Sequence, residues 1–109
     1  MQIQINTRVY NRIHKFYYNA MLKYPNTYYP DDADRDIIKV VSELHKVGTR
    51  LWHKNDSILS RWDGYLVDYS TKVKWYFAYR IEDNAVYVED AENYRNMSDL
   101  ANIFYFNEN

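Results

Sequence analysis

Between Lys72 and Asp90 the residues alternate in character on either side of a single turn signal, and this pattern restricts the stretch to a β-hairpin with two chemically different faces. Val73, Trp75, Phe77, Tyr79 and Ile81 interleave with Lys74, Tyr76, Ala78 and Arg80, the period of two expected of a half-buried strand. Asp83-Asn84 supplies the turn, because Asp and Asn tolerate the left-handed backbone that tight hairpins require. With those two residues as the loop, Ile81 faces Val86, Tyr79 faces Val88, and Arg80 faces Tyr87 on the opposite side. A charged residue beside aromatics at mid-strand belongs to the face away from the core. Such a face either holds a ligand or is simply wet.

The first half of the chain has a different periodicity. Gln2-Ile3-Gln4-Ile5 alternates as a short strand, and Asn6 or Thr7 ends it by capping a helix. That helix runs to about Tyr24 and stops at Pro25, with Val9, Ile13, Phe16, Tyr17, Ala20, Met21 and Tyr24 as its apolar stripe. Arg8, Arg12, Lys15, Asn19 and Lys23 form a basic stripe on the other side, read either as a solvated face or as a surface for phosphate or a partner. Pro30 and the acids Asp31, Asp32, Asp34 and Asp36 open a second helix, where negative charge suits the positive end of the helix dipole. Ile37, Val41, Leu44, Gly48 and Leu51 trace its buried line, with Arg50 and Lys54 near its end, and Gly48 either divides the helix or ends it early. From Ile58 to Trp62 the period returns to two. A turn at Asp63-Gly64 follows, then a strand with Tyr65, Val67 and Tyr69 on one face. The segment Ser98 to Asn109 reads as a short helix or an added strand.

The chain has 109 residues, 47% hydrophobic and 18% aromatic, enough for one core, so a single domain over 1–109 is expected. The absence of cysteine excludes a disulfide framework and a thiolate metal site, which suits a reducing cytoplasm. His14, His45 and His53 lack ligand-spaced partners and the acids from Asp31 to Asp36 lack a calcium-loop pattern, so neither metal nor cofactor is expected. No signal peptide or membrane span is visible. The net charge of −1 is unevenly spread: residues 1–30 carry four Lys or Arg and no acid, whereas 81–109 carry seven acids and one base, Arg95.

Strand, helix, helix and then three or four antiparallel strands is an element order that resembles the RelE/ParE superfamily of bacterial toxins, an α+β fold. The hairpin text from Trp75 to Asp90, an aromatic Arg-bearing strand, an acidic turn and a valine-rich last strand, is similar to that family's hallmark. Ala91-Glu92-Asn93-Tyr94-Arg95-Asn96-Met97 stands where the family often places a polar cluster with Arg, His or Tyr. The resemblance implies a toxin of a type II toxin-antitoxin system, neutralised by a cognate antitoxin. Two activities occur in the superfamily: cleavage of mRNA in the ribosome, and poisoning of DNA gyrase without cutting.

RNA cleavage needs a base for the 2′-hydroxyl, an acid for the leaving oxygen and cations for the phosphorane charge. Carried over by position, the resemblance makes Arg80 the charge-stabilising residue on the central strand and Arg95 a second cation. Tyr94 or Tyr87 becomes an acid or a base-stacking platform, and Arg61 and Lys74 contact phosphate. The chain departs from the nuclease pattern in having no histidine in its last two strands and in carrying Glu89, Asp90 and Glu92 beside the proposed site. Glu89 or Glu92 is an alternative base. Arg80 also has a plain structural reading, as a partner of Glu89 or Glu82 across the hairpin. The expected function is therefore ribosome-associated mRNA cleavage, with ribosome and mRNA as partners; the alternative is the same fold acting by protein binding alone, directed at gyrase or non-toxic. Local charge discriminates between them: Arg61, Lys74, Arg80 and Arg95 gathered on one face favour the nuclease, and neutralisation by Glu89 and Glu92 favours binding.

Overall fold

The structure, a computed structural model, describes residues 2–49, 53–54 and 60–96. Strand β1 (Gln2–Ile5) leads into helix α1 (Thr7–Lys23), and the cap is Asn6, whose side-chain oxygen accepts the Arg8 amide at 3.0 Å. Pro25 stops α1 as expected, since the residue before a proline is pushed out of the helical region. Helix α2 (Pro30–Leu44) opens with proline in its first turn, and the Asp32 carboxylate accepts the Tyr29 amide at 2.9 Å. That backbone bond, followed by Arg35, holds the Asp32 carboxyl below its ordinary value.

Strands β2 (His53–Lys54), β3 (Leu66–Ser70), β4 (Trp75–Glu82) and β5 (Ala85–Asn93) complete a five-stranded sheet in the order β1-β5-β4-β3-β2. β2 to β5 pair antiparallel, while β1 lies parallel to β5, a pairing that needs the long connection supplied here by both helices and the three intervening strands. The protein is thus α+β with a mixed sheet. Both helices cover one face, where Val9 and Ile13 of α1 and Ile37, Val40 and Leu44 of α2 enclose Trp75, Phe77, Tyr79, Val86 and Val88. The hairpin register is as expected: Ile81 opposite Val86, Tyr79 opposite Val88 and Arg80 opposite Tyr87. Asp83 and Asn84 both have positive φ, 52° and 62°, as a two-residue hairpin loop of type I′ demands. Ile81, beside the turn, stays 47% exposed.

Two expectations about the middle of the chain are corrected. The second helix does not continue toward Lys54; it ends at Leu44, and His53–Lys54 pairs with β3 instead. The strand expected over Ile58 to Trp62 is a 3-10 turn over Ser60–Trp62, with positions 58 and 59 outside the described residues. Trp62 belongs to a second cluster with Val67 and Ala78, and a side chain that covers the sheet's other face must come from above the sheet, not from within its plane. The segment expected from Ser98 to Asn109 also lies outside the described residues.

Gly48 follows α2 in a turn with φ +90°, and a Cβ there would lie 2.7 Å from Val86 Cγ2 on β5. Glycine is required twice over, by the left-handed backbone and by the close approach to the sheet. Gly48→Ala is expected to destabilise by about 2 kcal/mol, combining the left-handed penalty with overpacking. Urea denaturation checks this; a midpoint equal to the parent's refutes the close approach.

The register of the hairpin changes once. Tyr79 pairs with Val88 but Ala78 pairs with Asp90, so Glu89 is an extra, bulged residue. Without the bulge, Phe77 would face Asp90 and Trp75 would face Glu92, placing two carboxylates in the apolar core. The bulge reverses the phase. Ala91 and Asn93 come to lie opposite Phe77 and Trp75, while Asp90 and Glu92 move to the other face beside Ala78 and Tyr76.

Candidate functional site

The bulge creates a charge cluster that neither helix nor strand periodicity foretells. Asp90 Oδ1 lies 2.6 Å from Arg12 Nε, and Asp90 Oδ2 lies 3.2 Å from Arg61 Nε. Glu92 Oε2 lies 2.8 Å from Arg61 Nη2 and 3.5 Å from Arg12 Nη1. Trp62 Nε1 and the Ala91 amide also donate to Asp90, at 2.8 and 2.9 Å, and Asn96 donates to Glu92 at 2.8 Å. β1 ends opposite Val88, so this later part of β5 has no β1 neighbour, and there Arg12 reaches it from α1. Both carboxylate side chains are only 9% exposed, and two arginines offset their charge. Arg61, expected to contact phosphate, is committed to these acids, and Arg12 of the basic stripe is not simply solvated.

Arg80 occupies a second location. Its guanidinium sits 4.2 Å from the centre of the Tyr87 ring, pairs with Glu82, and approaches Glu89 Oε1 at 3.8 Å. Both anticipated acidic neighbours are therefore present, with the arginine side chain still 40% exposed.

Lys74, Tyr94 and Arg95 meet at a third location, at the other end of the sheet. Lys74 has φ 62° in the turn before β4, and its carbonyl accepts the Tyr94 amide at 3.0 Å, which fixes the two residues side by side. The Lys74 ammonium lies 5.3 Å from the Tyr94 ring centre, and Arg95 Nε donates to the Tyr94 hydroxyl at 3.3 Å. This hydrogen bond, then the charges of Arg95 and Lys74, lower the Tyr94 pKa from its ordinary value near 10. Arg80 lies six residues along the strand from Lys74, roughly 20 Å at ~3.3 Å per residue. The structure thus brings Tyr94, Arg95 and Lys74 together and leaves Arg80 with Tyr87, and Arg61, elsewhere.

The three residues border a cleft of about 510 Å³, within the ~300–1,000 Å³ usual for small-molecule sites. α1 contributes Phe16, Tyr17 and Ala20 to its lining, Tyr24 and Tyr28 come from the connection to α2, and Asp36 comes from α2 itself. Trp75 Nε1 donates to the Tyr17 hydroxyl at 3.0 Å, and the Tyr28 hydroxyl donates to Asp36 Oδ2 at 2.6 Å. Burial raises both phenols, and for Tyr28 the bond to Asp36 adds to the shift, so both remain protonated donors at neutral pH. The cleft opens into a groove lined by Asn19, Lys23, Arg95 and Asn96, and this in turn meets a smaller one beside Arg12, Lys15 and Glu92. All of the basic stripe except Arg8 therefore borders a run of adjoining depressions between α1 and the end of β5.

Tyr28 and Asp36 were not legible as site residues. Eight residues apart, they read as a polar connection and a helix-start charge, and no spacing rule joins a loop tyrosine to a carboxylate two helical turns further on. The bulge left a faint trace, the shift of apolar positions from Val86 and Val88 to Ala91. Among the described residues no group of three or more His, Cys, Asp or Glu side chains is arranged to hold a metal ion, and no helix is long and apolar enough to cross a membrane. Compared with known proteins, the chain matches no protein-family model, no curated protein and no solved structure.

Proposed function

We propose that this chain is a toxin of the RelE/ParE type, held in check by an antitoxin, and that it inhibits translation by cleaving ribosome-associated mRNA at the Lys74-Tyr94-Arg95 cleft. The observation that carries this reading is the continuity of the cleft with the basic groove. Lys74, Arg95, Lys23 and Lys15 border one path along α1, suited to a phosphodiester backbone, and aromatic rings line its deepest part. The acids near it in sequence do not repel such a strand, since Asp90 and Glu92 are paired with Arg12 and Arg61. Tyr94, beside Lys74 and Arg95, is the candidate proton-transfer group, and Lys74 and Arg95 offset charge on the phosphorane. The element order agrees with the fold that the resemblance implies.

A second reading, protein binding without catalysis, is favoured by the local charge: Arg61, Lys74, Arg80 and Arg95 do not gather on one face, Glu92 pairs with Arg61, and Glu89 lies beside Arg80. The pairing of Arg80 with Glu82 and Glu89 sets two acids against one cation on the hairpin face, which suits a protein partner better than RNA. Induction in bacteria separates the two. Growth arrest by the parent is expected to persist in Arg80→Ala and to be relieved in Lys74→Ala and Arg95→Ala. Tyr94→Phe is expected to slow cleavage by ~10²–10⁴-fold, the usual worth of a general acid or base. Escape by Arg80→Ala alone, with no new RNA ends and altered DNA supercoiling, refutes the nuclease reading in favour of gyrase.

A further inference from the structure

We infer that the cleft binds guanine nucleotides selectively, with Asp36 reading the base and Lys74 and Arg95 holding the phosphate. As a specificity for RNA the inference rests on the function proposed above; as a binding property of the cleft it stands by itself. The lining is chemically unequal. Aromatic side chains from α1, from the connection to α2 and from the end of β5 offer flat apolar surface on several sides, which suits a planar base. The cations come from the sheet end alone, and the carboxylate comes from α2. A ligand that satisfies both carries a negative group at one end and hydrogen-bond donors at the other.

Asp36 narrows the base. Among the described residues its side chain has one hydrogen-bond partner, the Tyr28 hydroxyl on Oδ2. An ionised carboxylate is an acceptor only, with room for about four bonds, so most of its capacity is open to the cleft. Guanine presents two neighbouring donors, N1–H and the 2-amino group, spaced to match the two carboxylate oxygens. Adenine and cytosine each set a single amino group beside a ring-nitrogen acceptor, which repels a carboxylate, and uracil flanks its one N–H with two carbonyls. Tyr28 also fixes the orientation of the carboxylate in advance, so little ordering is left for the ligand to impose.

Calorimetric titration of the full chain with the 3′-monophosphates of guanosine, inosine, adenosine, cytidine and uridine tests this. Guanosine 3′-monophosphate is expected to bind roughly 10–100-fold more tightly than the adenosine, cytidine and uridine forms, the usual worth of a two-point base contact. Inosine, which lacks the 2-amino group, is expected to fall between. Asp36→Asn is expected to level the series while leaving the thermal midpoint close to the parent's, and Tyr28→Phe to keep the preference. Equal affinities in the parent overturn the inference whatever the variants do, and so does a preference that survives Asp36→Asn. Short RNAs with one central guanine or one central adenine separate the sources: tighter binding of the guanine RNA than of the free nucleotide assigns a strand, and the reverse assigns a free nucleotide. RNA cleavage together with equal nucleotide affinities defeats this inference and spares the proposed function, whereas guanine-selective binding without cleavage does the opposite.

Discussion

Trp75→Ala is expected to remove ~4–5 kcal/mol of folding stability, at the upper end of large-to-small core substitutions. Trp75 is fully buried, and its ring meets Phe16 edge-on with centroids 5.4 Å apart and Tyr17 at 6.2 Å. Truncation leaves a cavity at the junction of α1 and β4, strips both aromatic contacts, and takes from the Tyr17 hydroxyl the donor it now receives at 3.0 Å. Domains of this size have roughly 5–15 kcal/mol in total, so the variant is expected to lose a large share of its stability. Trp75→Phe retains most of the packing and loses only the N–H, at an expected cost of about 1–2 kcal/mol. Urea titration followed by circular dichroism reads both values. A cost under about 1 kcal/mol for the alanine variant, typical of surface positions, contradicts the packing of α1 on the sheet. The same side chain also shapes the candidate site, because it anchors Tyr17 in the cleft lining.

Asp90→Ala is expected to cost about 2–4 kcal/mol, somewhat below the range for breaking a fully buried ion pair because Arg12 and Arg61 retain access to water. Asp90 accepts from Arg12, Arg61, Trp62 and the Ala91 amide, and its removal leaves the buried Trp62 N–H without its acceptor. The converse changes are expected to be mild. In Arg12→Ala the Arg61 guanidinium still spans both carboxylates, so a loss of ~1 kcal/mol or less is expected. This asymmetry identifies Asp90 as the hub of the cluster, tying α1, the 3-10 turn and β5 together. Equal losses from Asp90→Ala and Arg12→Ala in denaturant titrations are incompatible with that arrangement.

The two faces of the β4-β5 hairpin, its turn residues and its initial register are contained in the local text, because a period of two and a pair of turn-tolerant residues are set within a few positions. The same holds for the start of α1 at Asn6, its stop before Pro25 and the start of α2 at Pro30, each governed by one or two neighbouring residues. Where α2 ends was not settled locally: its apolar spacing runs on past Leu44, while Gly48 is needed for contact with Val86 on a strand 38 positions away. The bulge at Glu89 likewise depends on a long-range condition, that the face bearing Trp75 and Phe77 is buried by two helices and cannot accept Asp90 or Glu92. Candidate residues near the chain's end were legible as residue types, since Tyr94 and Arg95 stand out in a polar cluster. Their grouping was not. Lys74 joins them through a left-handed turn, Arg80 is carried to the far end of the same strand, and Tyr28 and Asp36 arrive from the helical layer. Local sequence carries the conformational preferences of short segments; which charges meet, and which are kept apart, is decided when distant segments compete to exclude water from one core.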